Sequence, residues 1–139
     1  MKTGLMKKIT LCIVFIFMVC SASAQTDADT ATTKQVDSSQ LYGLIAQLPV
    51  KVGEGKPENQ RKYLESLRDA QGEKVTYERK GSCCPYNTSS PWAMFGGGML
   101  DKYEIKYRDE NNKKQKAIIY ITFYDYEKPK AIKGFTLVE

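Results

Sequence analysis

The feature that most constrains the fold is an alternating segment followed by a polar turn and an apolar segment. Residues 100–108 (LDKYEIKYR) place tyrosine and isoleucine at every second position between charged side chains, which is typical of a strand with one face in water. Residues 109–112 (DENN) have the composition of a turn. Residues 117–126 (AIIYITFYDY) are apolar or aromatic on both faces, as in a central strand. These segments predict an antiparallel pair whose return strand begins near residue 113.

A helix is predicted before these strands, over residues 57–70 (PENQRKYLESLRDA). A proline in the first turn and a glycine two residues after the last position suit its start and its end. Its apolar side chains form a narrow stripe at Tyr63, Leu64 and Leu67. A narrow stripe predicts a helix that packs one side onto a sheet.

Shorter elements complete the predicted order. Residues 41–48 carry apolar side chains at helical spacing, residues 74–80 (KVTYERK) have the period of a strand, and residues 131–138 (AIKGFTLV) predict a short closing strand. A helix followed by mostly antiparallel strands indicates one small α+β domain over residues 41–139. We expect its helix to pack on a mostly antiparallel sheet of about four strands.

Residues 1–24 have the pattern of an export signal. Three lysines precede an apolar core at residues 9–20, which is short for a membrane span, and the sequence ASA at residues 22–24 fits a cleavage site. A lipid anchor at Cys20 is the less favoured alternative, because bulky Val19 stands where a small residue is usual. We therefore expect an exported protein, periplasmic or extracellular, without a transmembrane span in its mature chain.

Residues 25–40 are polar and predict a flexible leader before the domain. Loss of the signal would shorten the chain from 139 to 115 residues and lower its net charge from +5 to +2. A nearly neutral chain with dispersed lysines argues against a nucleic-acid partner. The chain has no histidine, which excludes His-dependent triads and removes the commonest general base and metal ligand. No catalytic residue is assigned, no cofactor is predicted, and a non-enzymatic role is favoured.

One stretch, residues 81–99 (GSCCPYNTSSPWAMFGGGM), contains Cys83 and Cys84, the only cysteines of the mature chain. Because an exported protein meets oxidising conditions, a disulfide between these neighbours is the first hypothesis, and its closure is expected to need a distorted or cis peptide. Two packed thiols and an intermolecular bridge that makes a homodimer are alternatives. A thiol redox site, or a Cu(I) site with Met94 or Met99, is a further alternative.

The same stretch predicts a contact surface. The proline after the cysteines predicts an extended Cys84 within a loop. The apolar tip beside three glycines fits either a tryptophan tucked into the core or a loop that meets a partner. The candidate binding residues are Pro85, Tyr86, Trp92, Met94, Phe95 and Met99.

Other polar and aromatic residues leave two interpretations open. Asp101, Glu104 and Asp125 stand at predicted strand ends or edges, as either an acid–base pair or solvated and salt-bridged groups. Five tyrosines in the predicted hairpin either pair across strands or form a carbohydrate- or peptide-binding face. The spacing of these residues does not decide between the interpretations.

Four motifs resemble those of a family of small exported bacterial proteins: GSCCP at residues 81–85, LDKYE at 100–104, YITFYD at 120–125 and GF at 134–135. The resemblance spans residues 50–137. Members are often named 2-dehydro-3-deoxyphosphooctonate aldolase, an enzyme built as a (β/α)₈ barrel of about 250 residues. The mature chain of 115 residues has no barrel pattern, so the resemblance implies no catalytic residue and aldolase activity is the last alternative.

These observations together predict a domain that binds a protein partner or a small ligand at the cell envelope. The contact surface would be formed by Cys83, Cys84 and the loop at residues 92–99. The second hypothesis is a thiol redox or soft-metal site at the same two cysteines.

Overall fold

The computed structural model describes residues 37–139, so the predicted signal and almost all of the predicted leader lie outside the described residues. A short 3₁₀ turn (Ser38–Gln40) comes first. The longer elements, in chain order, are β1 (Val50–Lys51), α1 (Pro57–Ser66), β2 (Leu67–Arg68), β3 (Thr76–Asn87), β4 (Gly97–Arg108), β5 (Lys114–Thr122) and β6 (Thr136–Leu137). Within residues 37–139 no helix is long and apolar enough to span a bilayer.

Four strands form one sheet in the order β1-β5-β4-β3. Strand β4 pairs antiparallel with β3 and with β5, whereas β1 runs parallel to β5. The β4–β5 turn is closed by Asp109, whose Oδ1 accepts hydrogen bonds from the backbone N–H of Asn111 and of Lys113, both at 2.9 Å. The predicted α+β class, with a helix and a mostly antiparallel four-stranded sheet, is confirmed.

The core lies between α1 and one face of the sheet. The predicted stripe Tyr63, Leu64 and Leu67 is buried, and the register places Tyr103 of β4 beside Ile119 of β5 on the facing side. Alternation along β4 and β5 thus puts an apolar row under the helix. The remaining buried apolar residues of this core are Val50, Val52, Val75, Ile105, Ile121, Ile132 and Phe135.

The helix predicted at residues 41–48 is wrong. Gly43 has φ +74°, and its backbone N–H donates to the carbonyl of Leu48 at 2.7 Å. A left-handed residue interrupts a right-handed helix, so the segment folds as consecutive turns. These turns lie along β5, where the carbonyl of Gly43 accepts a hydrogen bond from the N–H of Tyr120 at 2.8 Å.

Three predicted boundaries also change. Helix α1 ends at Ser66 because Leu67 is extended and starts β2, which pairs antiparallel with β6. The closing strand predicted at residues 131–138 is therefore only the two residues of β6, in a separate small sheet. Strand β5 keeps Tyr120 but ends at Thr122, so Phe123, Tyr124 and Tyr126, which were expected to belong to it, follow the strand.

Candidate functional site

The stretch expected to be a loop from residue 81 is mostly a β-hairpin. Strand β3 continues to Asn87 and β4 begins at Gly97, so only residues 88–96 connect them. Pairing between β3 and β4 continues because β3 contains two bulges, and at each bulge β3 has one residue more than the facing part of β4. The extra residues are Lys80 and Cys84. The predicted extended backbone of Cys84 is wrong, since this bulged residue has φ +58°.

Cys83 and Cys84 lie side by side in the second bulge with their sulfurs at disulfide distance. Their Cα atoms are 3.8 Å apart and no cis peptide occurs within residues 37–139, so of the two closures expected, distorted or cis, the structure does not have the cis one. Both residues are half-buried. Among the described residues, no three His, Cys, Asp or Glu side chains are grouped to hold a metal ion.

Hydrogen bonds tie the end of the hairpin to the segment after β5. Tyr86 Oη and Thr88 Oγ1 each donate to one oxygen of the Asp125 carboxylate at 2.5 Å, and Ser90 Oγ donates to the carbonyl of Tyr124 at 2.7 Å. Burial would raise the pKa of Asp125, but the bonds from Thr88 and Tyr86 outweigh it and lower the pKa. The hairpin end is thus held by an ionised, hydrogen-bonded carboxylate.

Four apolar side chains of this hairpin face solvent. The exposed fractions are 58% for Trp92, 79% for Met94, 104% for Phe95 and 44% for Met99. We call these four residues the hairpin-end surface. The alternative of a tryptophan buried in the core is wrong. The Trp92 ring instead packs against the backbone of Gly55, where an added Cβ would lie 2.6 Å from a ring carbon.

Phe95 combines two unfavourable features. Its backbone has φ +56°, a region that bulky side chains rarely adopt. Its side chain is also fully exposed, so no packing offsets the backbone cost. Residues held in such conformations concentrate at functional sites.

A cleft of about 580 Å³ lies beside the hairpin-end surface. Its lining includes Trp92, Ser90, Lys56 and Tyr126, and Tyr126 is itself 68% exposed. Gly55 was not among the candidate binding residues, and Tyr126 was considered only as one of the five tyrosines of the alternative carbohydrate- or peptide-binding face. A sequence signal for the surface was available, since residues 81–100 contain no Asp, Glu, Lys or Arg in a chain that is 27% charged.

The other candidates are distributed as follows. Pro85 is exposed in β3, whereas Tyr86 is half-buried and stacks on Tyr124 with ring centroids 6.4 Å apart. Glu104 forms an ion pair with Lys116 at 3.3 Å. Asp101 is only 4% exposed and pairs with an arginine of β3. The three carboxylates are therefore salt-bridged or hydrogen-bonded.

Comparison with known proteins gives no match to this chain among family models, curated proteins or solved structures. The resemblance to the exported family therefore remains a prediction carried by its motifs.

Proposed function

We propose that this chain is an exported, non-enzymatic domain that binds a partner at the cell envelope through the hairpin-end surface. The observation that carries the proposal is the outward projection of Trp92, Met94, Phe95 and Met99 from an anchored hairpin. Several large exposed apolar side chains on one hairpin are typical of an interaction site. Tryptophan and methionine are also enriched among residues that contribute to protein interfaces.

The contacts that constrain the hairpin favour a binding surface over a mobile loop. The Asp125 hydrogen bonds hold residues 86–90 in place, and the bulge with Cys83 and Cys84 adds a second constraint on β3. A loop with a fixed backbone loses less conformational entropy on binding. The unfavourable backbone of Phe95 is therefore explained best as presentation of its ring to a partner.

The test is site-specific photo-crosslinking in intact cells that export the protein. A photoreactive phenylalanine analogue replaces Phe95, and a matched analogue replaces Lys133, an exposed residue outside the hairpin. We expect a discrete crosslinked product at position 95 that weakens when Trp92→Ser is added, and no such product at position 133. The absence of a product at position 95, or identical products at both positions, would refute the proposal.

A thiol redox or soft-metal site is the second candidate function, because Cys83 and Cys84 are half-buried rather than enclosed. A bonded pair has no thiolate for Cu(I), so this function requires the reduced form. The measurement is an intact mass after alkylation without reductant, first under native and then under denaturing conditions. A mass lower by two hydrogens without alkylation favours the binding function. Two native alkylations favour the thiol function, and alkylation only after denaturation indicates packed thiols.

A further inference from the structure

A second cleft lies where the N-terminal half of α1 approaches β3 and β4. Its volume is about 340 Å³, within the range of about 300–1,000 Å³ that small-molecule sites span. Met99, Phe123 and Tyr124 line its apolar part. Gln60 and Asp101 line its polar part, and neither residue takes part in the hairpin-end surface.

Gln60 is fully buried yet incompletely hydrogen-bonded. Its Oε1 accepts a hydrogen bond from Tyr103 Oη at 2.9 Å, which leaves the amide nitrogen as the donor. Among the described residues, Gln60 Nε2 is the buried side-chain polar atom without a partner. A buried donor is unfavourable unless something accepts from it. Gln60 lines the cleft, so a molecule bound there is one source of the missing acceptor.

Asp101 provides the complementary half of the site. Its Oδ1 accepts hydrogen bonds from Arg79 at 2.5 Å and from Ser82 at 2.9 Å. No donor from residues 37–139 bonds its Oδ2. Asp101 is 4% exposed, so the carboxylate has little contact with bulk water and retains one acceptor oxygen. Half of the Arg79 side chain is exposed and keeps further N–H donors.

Both arginines that line the cleft are paired with a carboxylate. Arg79 pairs with Asp101, and Arg61, which also lines the cleft, pairs with Glu58 at 3.2 Å. A site whose arginines are already paired has less preference for an anion than one with free cations. It presents instead neighbouring donors and acceptors beside aromatic rings.

We propose that this cleft binds a neutral sugar unit of monosaccharide size. Each hydroxyl of a sugar both donates and accepts, so adjacent hydroxyls can accept from Gln60 Nε2 and donate to Asp101 Oδ2. The apolar C–H face of the ring can pack on the aromatic wall formed by Phe123 and Tyr124. Met99 belongs to both this cleft and the hairpin-end surface, but the groups proposed to hydrogen-bond the sugar take no part in that surface.

The test is a titration of ¹⁵N-labelled protein with D-glucose, D-mannose and N-acetyl-D-glucosamine, each used separately. We expect at least one sugar to shift the side-chain amide signals of Gln60 and the guanidinium signal of Arg79 saturably, with a Kd of about 1 mM or lower. Gln60→Leu should weaken that Kd by about tenfold through loss of one hydrogen bond. Asp101→Asn, which keeps the shape of the side chain, should weaken it similarly.

Two control variants test whether sugar binding is confined to this cleft. Gln115→Leu, at the start of β5 and outside the cleft lining, and Phe95→Ser, on the hairpin-end surface, should both leave the Kd unchanged. The absence of saturable shifts with all three sugars would overturn the proposal and leave Gln60 Nε2 to a water molecule. An unchanged Kd in a folded Gln60→Leu variant would overturn it too. So would shifts caused by inorganic phosphate or acetate in place of sugar, because they would indicate an ionic ligand.

Discussion

At the scale of single residues, Asp69 shows how one carboxylate joins two distant segments. Its Oδ1 accepts from the backbone N–H of Gln71 at 2.9 Å and of Glu73 at 3.0 Å, and its Oδ2 accepts from that of Arg108 at 2.8 Å. Burial would raise the pKa of Asp69, but these three hydrogen bonds outweigh it and lower the pKa. The ionised form thus fastens the turn after β2 to the end of β4.

Asp69→Asn should lower the free energy of unfolding by about 1–3 kcal/mol at pH 7, because backbone donors lose an ionised acceptor. The lowered pKa means that the ionised carboxylate stabilises the folded state above the pKa of the unfolded chain, about 3.9. That contribution disappears as the pH falls through the lower folded pKa. Urea unfolding from pH 6 to pH 3 should therefore show a smaller acid-dependent loss in the variant.

The matched control is Asp109→Asn, which alters a similar turn at a residue less buried than Asp69. Its effect on unfolding should be smaller than that of Asp69→Asn. Equal acid dependence in wild type and Asp69→Asn would contradict the role given to this carboxylate.

Phe95 provides a second prediction at this scale. Phe95→Gly should leave the melting temperature unchanged or slightly higher. Glycine avoids a left-handed backbone cost of about 1–2 kcal/mol and loses about 0.5–1 kcal/mol through greater freedom of the unfolded chain. When a photoreactive analogue replaces Trp92, its crosslinking to the partner should decrease in the Phe95→Gly variant. A clear loss of stability would show that Phe95 serves the fold.

At the scale of elements, the approach of β4 to the segment after β5 depends on Gly98. A Cβ at Gly98 would overlap the ring of Tyr124, whereas a Cβ at Gly97 would meet only the carbonyl oxygen of Tyr86, at 3.6 Å. The first glycine of this run, Gly96, has φ +74° and ends the connecting loop. The three consecutive glycines thus have different roles.

Gly98→Ala should lower the free energy of unfolding by about 1–3 kcal/mol, because the added methyl must displace a packed ring. Gly97→Ala is the control and should change it much less. Denaturant unfolding of both variants measures the difference. Similar values for the two would show that Tyr124 moves aside at little cost.

Sequence periodicity predicted some elements well for a physical reason. In α1 and β4 the buried side chains recur with the period of the element, and in β5 the apolar run marks a strand inside the sheet. Residues 41–48 have a helical pattern, but the left-handed Gly43 prevents a helix. The extension of β3 through Cys84 was missed because bulges break the two-residue period while pairing continues.

At the scale of the whole molecule, stability should depend on the single layer of contacts between α1 and the sheet. Leu64→Ala should lower the free energy of unfolding by about 2–5 kcal/mol, because Leu64 is fully buried there. Val138→Ala, at a residue 41% exposed, is the control and should have a small effect. Thermal unfolding by circular dichroism tests this. Equal melting temperatures would place the stabilising core elsewhere.

Both candidate sites depend on contacts between distant parts of the chain. Tyr86 meets Asp125 across 39 positions, and Gln60 meets Tyr103 across 43. Composition identified the apolar residues of the hairpin-end surface, because that property is local. It could not identify the polar cleft, since a buried Gln60 and Asp101 become neighbours only through the packing of α1 on β4.

The bulges of β3 have a consequence for solubility. As the outer strand of the sheet, β3 exposes one backbone edge, and a long regular edge invites a strand of another molecule. The bulges at Lys80 and Cys84 divide its pairing into residues 76–79, 81–83 and 85–87, and Pro85 lacks an N–H donor. The adjacent cysteines thus help to cut the edge into pieces too short to template a fibril.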